Sequence, residues 1–249
     1  MTTVLLNGCM GRMGKVITEM AEGRSDIEII AGTDRRGGEA PYPVYTSIKA
    51  VKEKPNVVVD FSNPEALDSL LEFAEKNGTP VIICTTGFSD EQREKIEKAG
   101  ERLPVFFSAN MSIGVNLIGE LAKKAAEVLY PDFNIEIIET HHNQKIDAPS
   151  GTALMLADEI SSVLGDNMDY EYNRHAKREK RKVNEIGIHS VRAGTIPGEH
   201  EIIFGGPDEI ISIKHTALSR NIFANGALNA AVFMAGKKPG HYSMKDLIG

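Results

Sequence analysis

The sequence predicts an α/β protein in two parts: a doubly wound parallel-sheet domain, then an α+β domain with a mixed sheet. Three observations carry this. Over the first 110 residues, short and nearly continuous apolar runs alternate with helical patterns, the rhythm of a parallel sheet covered on both faces. A glycine-rich turn joins the first run to the first helix. Beyond Asn110 the strand patterns follow one another closely, and strands so joined pair antiparallel or mixed.

Val4-Leu5-Leu6 is the first strand, and a helix is expected from Arg12 to about Glu22. Ile27 to Ala31 follows, then a Pro/Gly/Tyr loop from Gly37 to Tyr45 and the β-branched run Val57 to Phe61. Asn63 and Pro64 open a helix reaching about Asn77, as N-cap and first helical residue. Val81 to Cys84 and Val105 to Phe107 are strands on either side of a charged helix, Ser89 to Gly100, which Gly100 stops. Ile113 to Leu129 reads as a long helix ended by Pro131, Ile135 to Glu139 as a strand, and Thr152 to Leu164 as a helix. A polar stretch, Gly165 to Asn184, precedes strands at Glu185 to Arg192, His200 to Phe204 and Glu209 to His215. Gly205-Gly206-Pro207-Asp208 is a hairpin connector between the last two. Phe223 to Ala235 is a small-residue helix that suits either domain.

With 249 residues, 41% hydrophobic and 25% charged, the chain can bury a sizeable core and disorder is excluded. No apolar run approaches the roughly 18 residues of a membrane span. No basic segment precedes the first strand, so no signal peptide is expected. Two cysteines, Cys9 and Cys84, exclude a disulfide framework and argue against a cysteine zinc site; a reducing cytoplasm is the natural setting. A net charge of −7 and a pI near 5.6 argue against general nucleic-acid binding.

Gly8-Cys9-Met10-Gly11-Arg12-Met13-Gly14 follows the first strand and opens the first helix. Glycines there let the backbone turn sharply, and the helix N-terminus offers N–H groups and partial positive charge to a pyrophosphate. The spacing is G-x-x-G-x-x-G rather than G-x-G-x-x-G, so context has to support it. Asp34 does so: 20 residues after Gly14 and at the end of the second strand, it is placed to accept from a ribose diol. Arg35 and Arg36 follow, and a guanidinium there would pair with a 2′-phosphate. The competing reading is a plain tight turn with a solvated strand end. Cys84-Thr85-Thr86-Gly87 and Ser108-Ala109-Asn110-Met111 end two further strands, where a nicotinamide and its ribose would lie.

The densest polar segment runs from Glu139 to Ala153 and includes His141, His142, Lys145, Asp147 and Ser150-Gly151-Thr152. It lies between a strand and a helix, where functional loops concentrate. His141 and Lys145 are candidate proton donors to a carbanion-like centre after hydride arrives. The helix start at Gly151 and Thr152 is a seat for a carboxylate, with His142 and Lys145 as further anion contacts. Adjacent histidines could ligate a metal, but no third ligand stands at a characteristic spacing and neighbours on a strand point oppositely, so none is expected. Surface histidines beside an ordinary N-cap are the structural alternative. The run Arg174 to Lys182 reads as a solvated basic loop. His189, His200 and His215 fall in strands and read as packed or hydrogen-bonded.

Taken in order, G-x-x-G-R-M-G at Gly8, T-T-G at Thr85, N-M-S-x-G-V-N at Asn110, E-x-H-H-x-x-K-x-D-A-P-S-G-T-A at Glu139 and H-x-A-x-S-R-x-x-F-A-x-G-A-L at His215 span nearly the whole chain. This series resembles the 4-hydroxy-tetrahydrodipicolinate (dihydrodipicolinate) reductases of lysine and diaminopimelate biosynthesis. The resemblance implies a Rossmann-like cofactor domain, residues 1–110 with 221–249 returning to it, and a substrate-binding, oligomerising domain, residues 111–220, in a homotetramer. It implies reduction of a cyclic dicarboxylate by NADH or NADPH with loss of water. His141 would donate or accept a proton and Lys145 donate one; His142, Gly151 and Thr152 would contact substrate carboxylates. Gly8, Cys9, Met10, Gly11, Arg12, Met13, Asp34, Arg35, Cys84, Thr85, Thr86, Ser108, Ala109, Asn110 and Met111 would line the cofactor. The two ligands fall to different domains, so closure is expected to assemble the site. Cys84 departs from the family's usual Gly and puts its own contact in question. Another anion-directed reductase and a non-catalytic NAD(P) sensor are the rival functions.

Overall fold

The computed structural model describes residues 1–108, 110–165 and 167–249. These form two compact units, Met1–Ile113 with Asn221–Gly249, and Gly114–Arg220.

The first unit is built on seven parallel strands: β1 (Thr2–Asn7), β2 (Ile27–Thr33), β3 (Val44–Tyr45), β4 (Val57–Asp60), β5 (Val81–Ile83), β6 (Pro104–Phe107) and β12 (Gly240–Tyr242). Their order is β12-β6-β5-β4-β1-β2-β3, so the winding reverses beside β1, where a doubly wound sheet binds its ligand. Strand alternation splits the core cleanly. Val4, Leu6, Val57, Val59, Ile82 and Phe106 face one way, onto Ile17 and Ala21 of α1 (Arg12–Glu22) and the small-residue face of α6 (Asn221–Met234). Leu5, Val58, Val81, Ile83 and Val105 face the other way, onto Leu67, Leu70 and Ala74 of α2 (Leu67–Asn77) and Ile96 and Ala99 of α3 (Asp90–Gly100). Each Val, Leu, Ile or Phe side chain among these, fully buried, contributes about 1.5–3 kcal/mol. Asn63 accepts from the Glu65 N–H, and Ser89 and Gln92 close a capping box, which fixes where two of these helices begin.

The small residues of α6 have a steric reason. A Cβ on Gly226 would fall far inside contact distance of the Met111 carbonyl, so α6 lies directly on that backbone. The two edge strands, β3 and β12, and the terminal turn of helix α7 (Met244–Ile248) escape the sequence patterns. Each is too short to show a period, and β3 lies in the Pro/Gly/Tyr loop.

The second unit carries a mixed sheet of β7 (Asn134–His141), β8 (Asp169–Glu171), β9 (Glu185–Arg192), β10 (Gly198–Gly205) and β11 (Ile210–Ala217), ordered β11-β10-β7-β9-β8. β7 pairs parallel with β9 and antiparallel with β10; β10 and β11 form the hairpin. One face is apolar: Ile135, Ile137, Ile186, Ile188, Ile202 and Phe204 meet Ile118, Ala122 and Ala126 of α4 (Ile113–Leu129) and Leu156, Ala157 and Ile160 of α5 (Gly151–Val163). The basic run is less free than its composition suggests. Arg174 pairs with Glu185 and Lys177 with Glu171. Arg181, 16% exposed, donates to Glu136 at 3.0 Å, Asn134 at 2.9 Å and the Ile135 carbonyl at 2.8 Å. The run therefore ties β8 and β9 to β7. Among the described residues no helix is long and apolar enough to cross a membrane.

Candidate active site

In the first unit, the tips of β2, β1 and β4 carry a hydrogen-bonded row. The Thr33 hydroxyl donates to Asn7 Oδ1, and Asn7 Nδ2 donates to Asp60 at 2.7 Å. Ser62 Oγ donates to the same carboxylate oxygen at 2.6 Å. Asp60 is fully enclosed, and burial pushes its carboxyl up against the pull of these hydrogen bonds. The row braces the floor beneath the glycine turn.

Gly8 turns at φ +82°, and a Cβ there would stand 2.5 Å from the Phe61 carbonyl oxygen. A Cβ on Gly14 would collide with the carbonyl oxygens of Gly8 and Cys9, so both glycines are dictated by close backbone approach. Gly11 is the N-cap of α1 and supplies no side-chain cap, which leaves the first helical N–H groups available to an anion. The turn borders a cleft of about 530 Å³ whose lining includes Gly8, Gly11, Asp34, Arg35, Arg36 and Ser62. Asp34 Oδ1 accepts from the Arg36 N–H at 3.0 Å, and the Arg36 guanidinium stands 3.6 Å away, 80% exposed. Arg35 reaches Glu65 at 2.8 Å. Cradle, helix N-terminus and carboxylate together fit a dinucleotide.

The other cofactor candidates are placed as follows. Cys9 is buried and packs beside Gly32, and its N–H donates to the Thr33 carbonyl at 3.1 Å, so it shapes the turn and offers no free donor. Met10 packs on Gly38; Arg12 is exposed and Met13 half-buried. Cys84 points into the core, where burial pushes its thiol well up. It therefore does not crowd the sheet tip. Thr85 is buried and Thr86 exposed just beyond β5. After β6, the Ser108 hydroxyl donates to the Asn110 carbonyl at 2.9 Å, Asn110 Oδ1 accepts from the Ser112 N–H, and the Met111 side chain is buried. These two loops lie outside the lining of the cleft. Ala109 lies outside the described residues.

In the second unit, alternation along β7 decides the chemistry. The core-facing row reads Ile135, Ile137, Glu139, His141, so the apolar face turns polar at one end of the sheet. Glu139 has no exposed surface. Its Oε2 meets His141 Nδ1 at 2.5 Å and accepts from Arg192 Nη1 at 2.8 Å. Its Oε1 accepts from Arg192 Nη2 at 2.8 Å and from the Ser150 N–H at 3.1 Å. Burial alone would push Glu139 up; Arg192, Ser190 and His141 outweigh it and bring the carboxyl down to about 2. The neighbouring His200, opposite Glu139 on β10, meets His141 edge-on at 5.2 Å between ring centroids, and its Nε2 lies 3.1 Å from Ser150 Oγ. Burial, reinforced by the nearby His141, holds His200 at about 4, so it is neutral at pH 7.

Ser150 caps α5 by accepting from Ala153 N–H at 3.1 Å. Gly151 is exposed, and a Cβ there would meet nothing within 4 Å. Lys145 pairs with Asp147 at 2.9 Å and keeps 21% of its side chain exposed; His142 is half-buried. The sheet end thus gathers His141 and Lys145 beside the start of α5. Sequence reasoning gave no role to Glu139 or Arg192. Glu139 had a signal, an acid in an apolar row of alternate residues; Arg192 acquires its place only through the β7–β9 register, which sets it beside His141. Among the described residues no group of three or more His, Cys, Asp or Glu side chains is arranged for a metal ion.

Comparison with known proteins agrees with this geometry. Residues 2–111 match the family model described as dihydrodipicolinate reductase, N-terminus, and residues 114–248 the model for its C-terminus. The 4-hydroxy-tetrahydrodipicolinate reductase of Caldanaerobacter subterraneus subsp. tengcongensis is 50% identical, covering 100% of this chain and 98% of its own. That of Clostridium novyi is 49% identical over the same shares. A dipicolinate-bound dihydrodipicolinate reductase from Paenisporosarcina sp. superposes with a TM-score of 0.81 at 27% identity, covering 98% of this chain and 97% of that one. The chain belongs to the dihydrodipicolinate reductase family.

Proposed function

We propose that the chain reduces 4-hydroxy-tetrahydrodipicolinate to tetrahydrodipicolinate in the diaminopimelate route to lysine, consuming one NAD(P)H and one proton and releasing water. The observation that carries this reading is the end of the mixed sheet, where a carboxylate-held imidazole and an ammonium stand beside the helix start at exposed Gly151. A cyclic dicarboxylate is the ligand such a place suits: one carboxylate on the N–H groups of Gly151 and Thr152 with His142, the ring before His141. The relative from Paenisporosarcina holds such a ligand, dipicolinate.

Bound reduced nicotinamide supplies the hydride. Gly8, Cys9 and Gly11, whose own N–H groups are spent on the Thr33 and Gly8 carbonyls, shape the turn; Met10, Arg12 and Met13 would hold its pyrophosphate through backbone N–H groups, and Asp34 and Arg35 its adenosine ribose. Thr85, Thr86, Ser108 and Asn110, with the backbone of Cys84 and Met111, would flank the nicotinamide end. At neutral pH His141 Nε2 takes a proton from the ring carbon beside the hydroxyl-bearing one, and Lys145 gives a proton to the departing hydroxyl. The hydride would go to the carbon that lost the hydroxyl while His141 returns its proton to the neighbouring carbon, so the net uptake is the proton from Lys145. Oxidation of NADH or NADPH, followed at 340 nm with substrate freshly made from pyruvate and aspartate semialdehyde, tests the reaction; cofactor binding without turnover would leave a sensor instead.

The sheet face away from α4 and α5 carries Ile138 and Ile203, both half-buried, and Val191, 43% exposed. It supports assembly through this unit as a homotetramer. Light scattering on the purified chain is expected to give about four times its 27.2 kDa; a monomer mass at micromolar concentration contradicts it. Two free cysteines, both buried, suit a reducing cytoplasm.

Asp34 and Arg36 share the ribose end of the cleft, so both cofactors are expected to serve. A several-hundred-fold preference in kcat/KM for either cofactor would contradict this. Arg36→Ala should lower kcat/KM for NADPH about tenfold, the scale of one charge-assisted pair, with little effect for NADH. Equal losses for the two would remove Arg36 from the 2′-phosphate.

A further inference from the structure

We infer that Glu139 and Arg192 are a positioning pair, which fixes the His141 ring with its proton on Nδ1 and leaves Nε2 as the atom that exchanges protons with substrate. The inference rests on the proposed reaction and adds two residues to it.

Every acceptor position of the Glu139 carboxylate is used in a way that constrains its neighbours. A fork of two N–H groups from Arg192 holds the carboxylate plane, one on each oxygen at 2.8 Å. The Ser150 N–H fixes Oε1 from the start of α5, and the Ser190 hydroxyl, opposite Glu139 on β9, adds a further hydrogen bond to the carboxylate. Only Oε2 remains for the ring, and an ionised carboxylate can only accept, so His141 Nδ1 must donate. Arg192 is thereby committed: a guanidinium spread over a buried carboxylate is not a free cation for substrate. Its Nη2 also donates to the Asp147 carbonyl at 2.6 Å. The backbone N–H groups of Ala193 and Asn143 close the same junction, onto the carbonyls of His141 and Gly194 at 2.8 and 3.1 Å. The loop bearing Lys145 is therefore anchored to the end of β9 that carries Arg192.

The groups facing the His141 ring are Glu139 on its own strand, Arg192 on β9, His200 on β10 and Lys145 in the following loop, with His215 behind His200 on β11 and Asp147 paired to Lys145. Of these only Glu139 is anionic and in contact with the ring. Burial lowers the His141 pKa and the cations add to it, while Glu139 works against them. The carboxylate therefore both orients the ring and keeps its protonated form accessible.

Glu139→Gln is the informative substitution because it keeps the volume. An amide NH₂ at the Oε1 position would face two donors, Ser150 N–H and Arg192 Nη2. At the Oε2 position it faces Arg192 Nη1 and an imidazole that can adapt by moving its proton to Nε2. The variant is thus expected to hold His141 in the opposite tautomer, as loss of an orienting carboxylate does in acyl-transfer triads. Nitrogen-15 NMR of histidine-labelled protein should find Nδ1 protonated in the native chain above the imidazole titration, and Nε2 protonated in Glu139→Gln. The variant's kcat should fall by about 10²- to 10⁴-fold, with KM for substrate moving far less and the dissociation constant for NADH unchanged. Arg192→Lys, which keeps the charge and loses the fork, should retain more activity than Arg192→Met.

A native His141 protonated at Nε2 overturns the inference, as does a folded Glu139→Gln with native kcat. Should Glu139→Gln fail to fold, the native tautomer and the two Arg192 variants decide it. The tautomer needs no turnover: a native chain that shows Nδ1–H yet reduces no substrate refutes the proposed reaction and leaves the pair standing.

Discussion

His141→Gln is expected to lower kcat by about 10²- to 10⁴-fold, the usual contribution of a positioned acid–base group, while NADH binds as before. The glutamine amide can still donate to Glu139, so the buried carboxylate keeps a partner and the sheet end is not disturbed by an orphaned charge. What is lost is the exchangeable nitrogen. Lys145→Ala should be of similar size, since its ammonium, held by Asp147 at 2.9 Å, is the donor to the leaving hydroxyl. The pH profile carries a sign. Burial is the largest influence on His141 and sets its pKa below 6.5. An acceptor is empty above its pKa, so kcat/KM should rise from acid towards neutral through a midpoint below 6.5 and then level off. The limb should be missing in His141→Gln. Steady-state kinetics with cofactor affinity read by fluorescence separates the outcomes: normal turnover in both variants removes the proton-transfer roles, and loss of NADH binding in either points to misfolding.

The parallel sheet was readable because burial on both faces turns each strand into an apolar run, and caps such as Asn63 and Ser89 mark where the covering helices start. The glycine turn was readable for a related reason: Gly8 and Gly14 are forced by backbone contacts that no other residue tolerates, so the constraint is written in residue type. His141 and Lys145 could be picked out because imidazole and ammonium groups cluster in one loop. Arg192 could not, since its meaning comes from a parallel register between strands separated in sequence by α5 and β8. The Asn7–Asp60 row was hidden likewise; each residue alone is an ordinary polar strand end. The basic run Arg174 to Lys182 misled in the opposite direction. Charge there suggests solvent, yet Arg181 lies between the Glu136 carboxylate and Ile135 carbonyl of β7, a tertiary use that composition does not reveal.

Gly14→Val is expected to abolish dinucleotide binding and to destabilise the first unit by about 1–3 kcal/mol, the range for a side chain forced into packed surroundings. The collision is with backbone, the carbonyl oxygens of Gly8 and Cys9, so no rotamer change relieves it. Relief requires α1 to move away from the turn. That displaces the N–H groups at its start from the position they hold over the cleft, and the anion seat depends on those groups because no side chain caps the helix. Gly23→Val at the other end of α1 is the matched control. Its φ is −83°, and an added Cβ would stand 3.7 Å from the nearest atom, the Met20 carbonyl oxygen. It should therefore leave NADH affinity intact. Thermal denaturation and calorimetric titration with NADH on the two variants read stability and binding separately. A Gly14→Val chain that is folded at 25 °C and binds NADH as tightly as Gly23→Val would show that the pyrophosphate does not rest on this turn, and the cofactor would have to be sought elsewhere on the first unit.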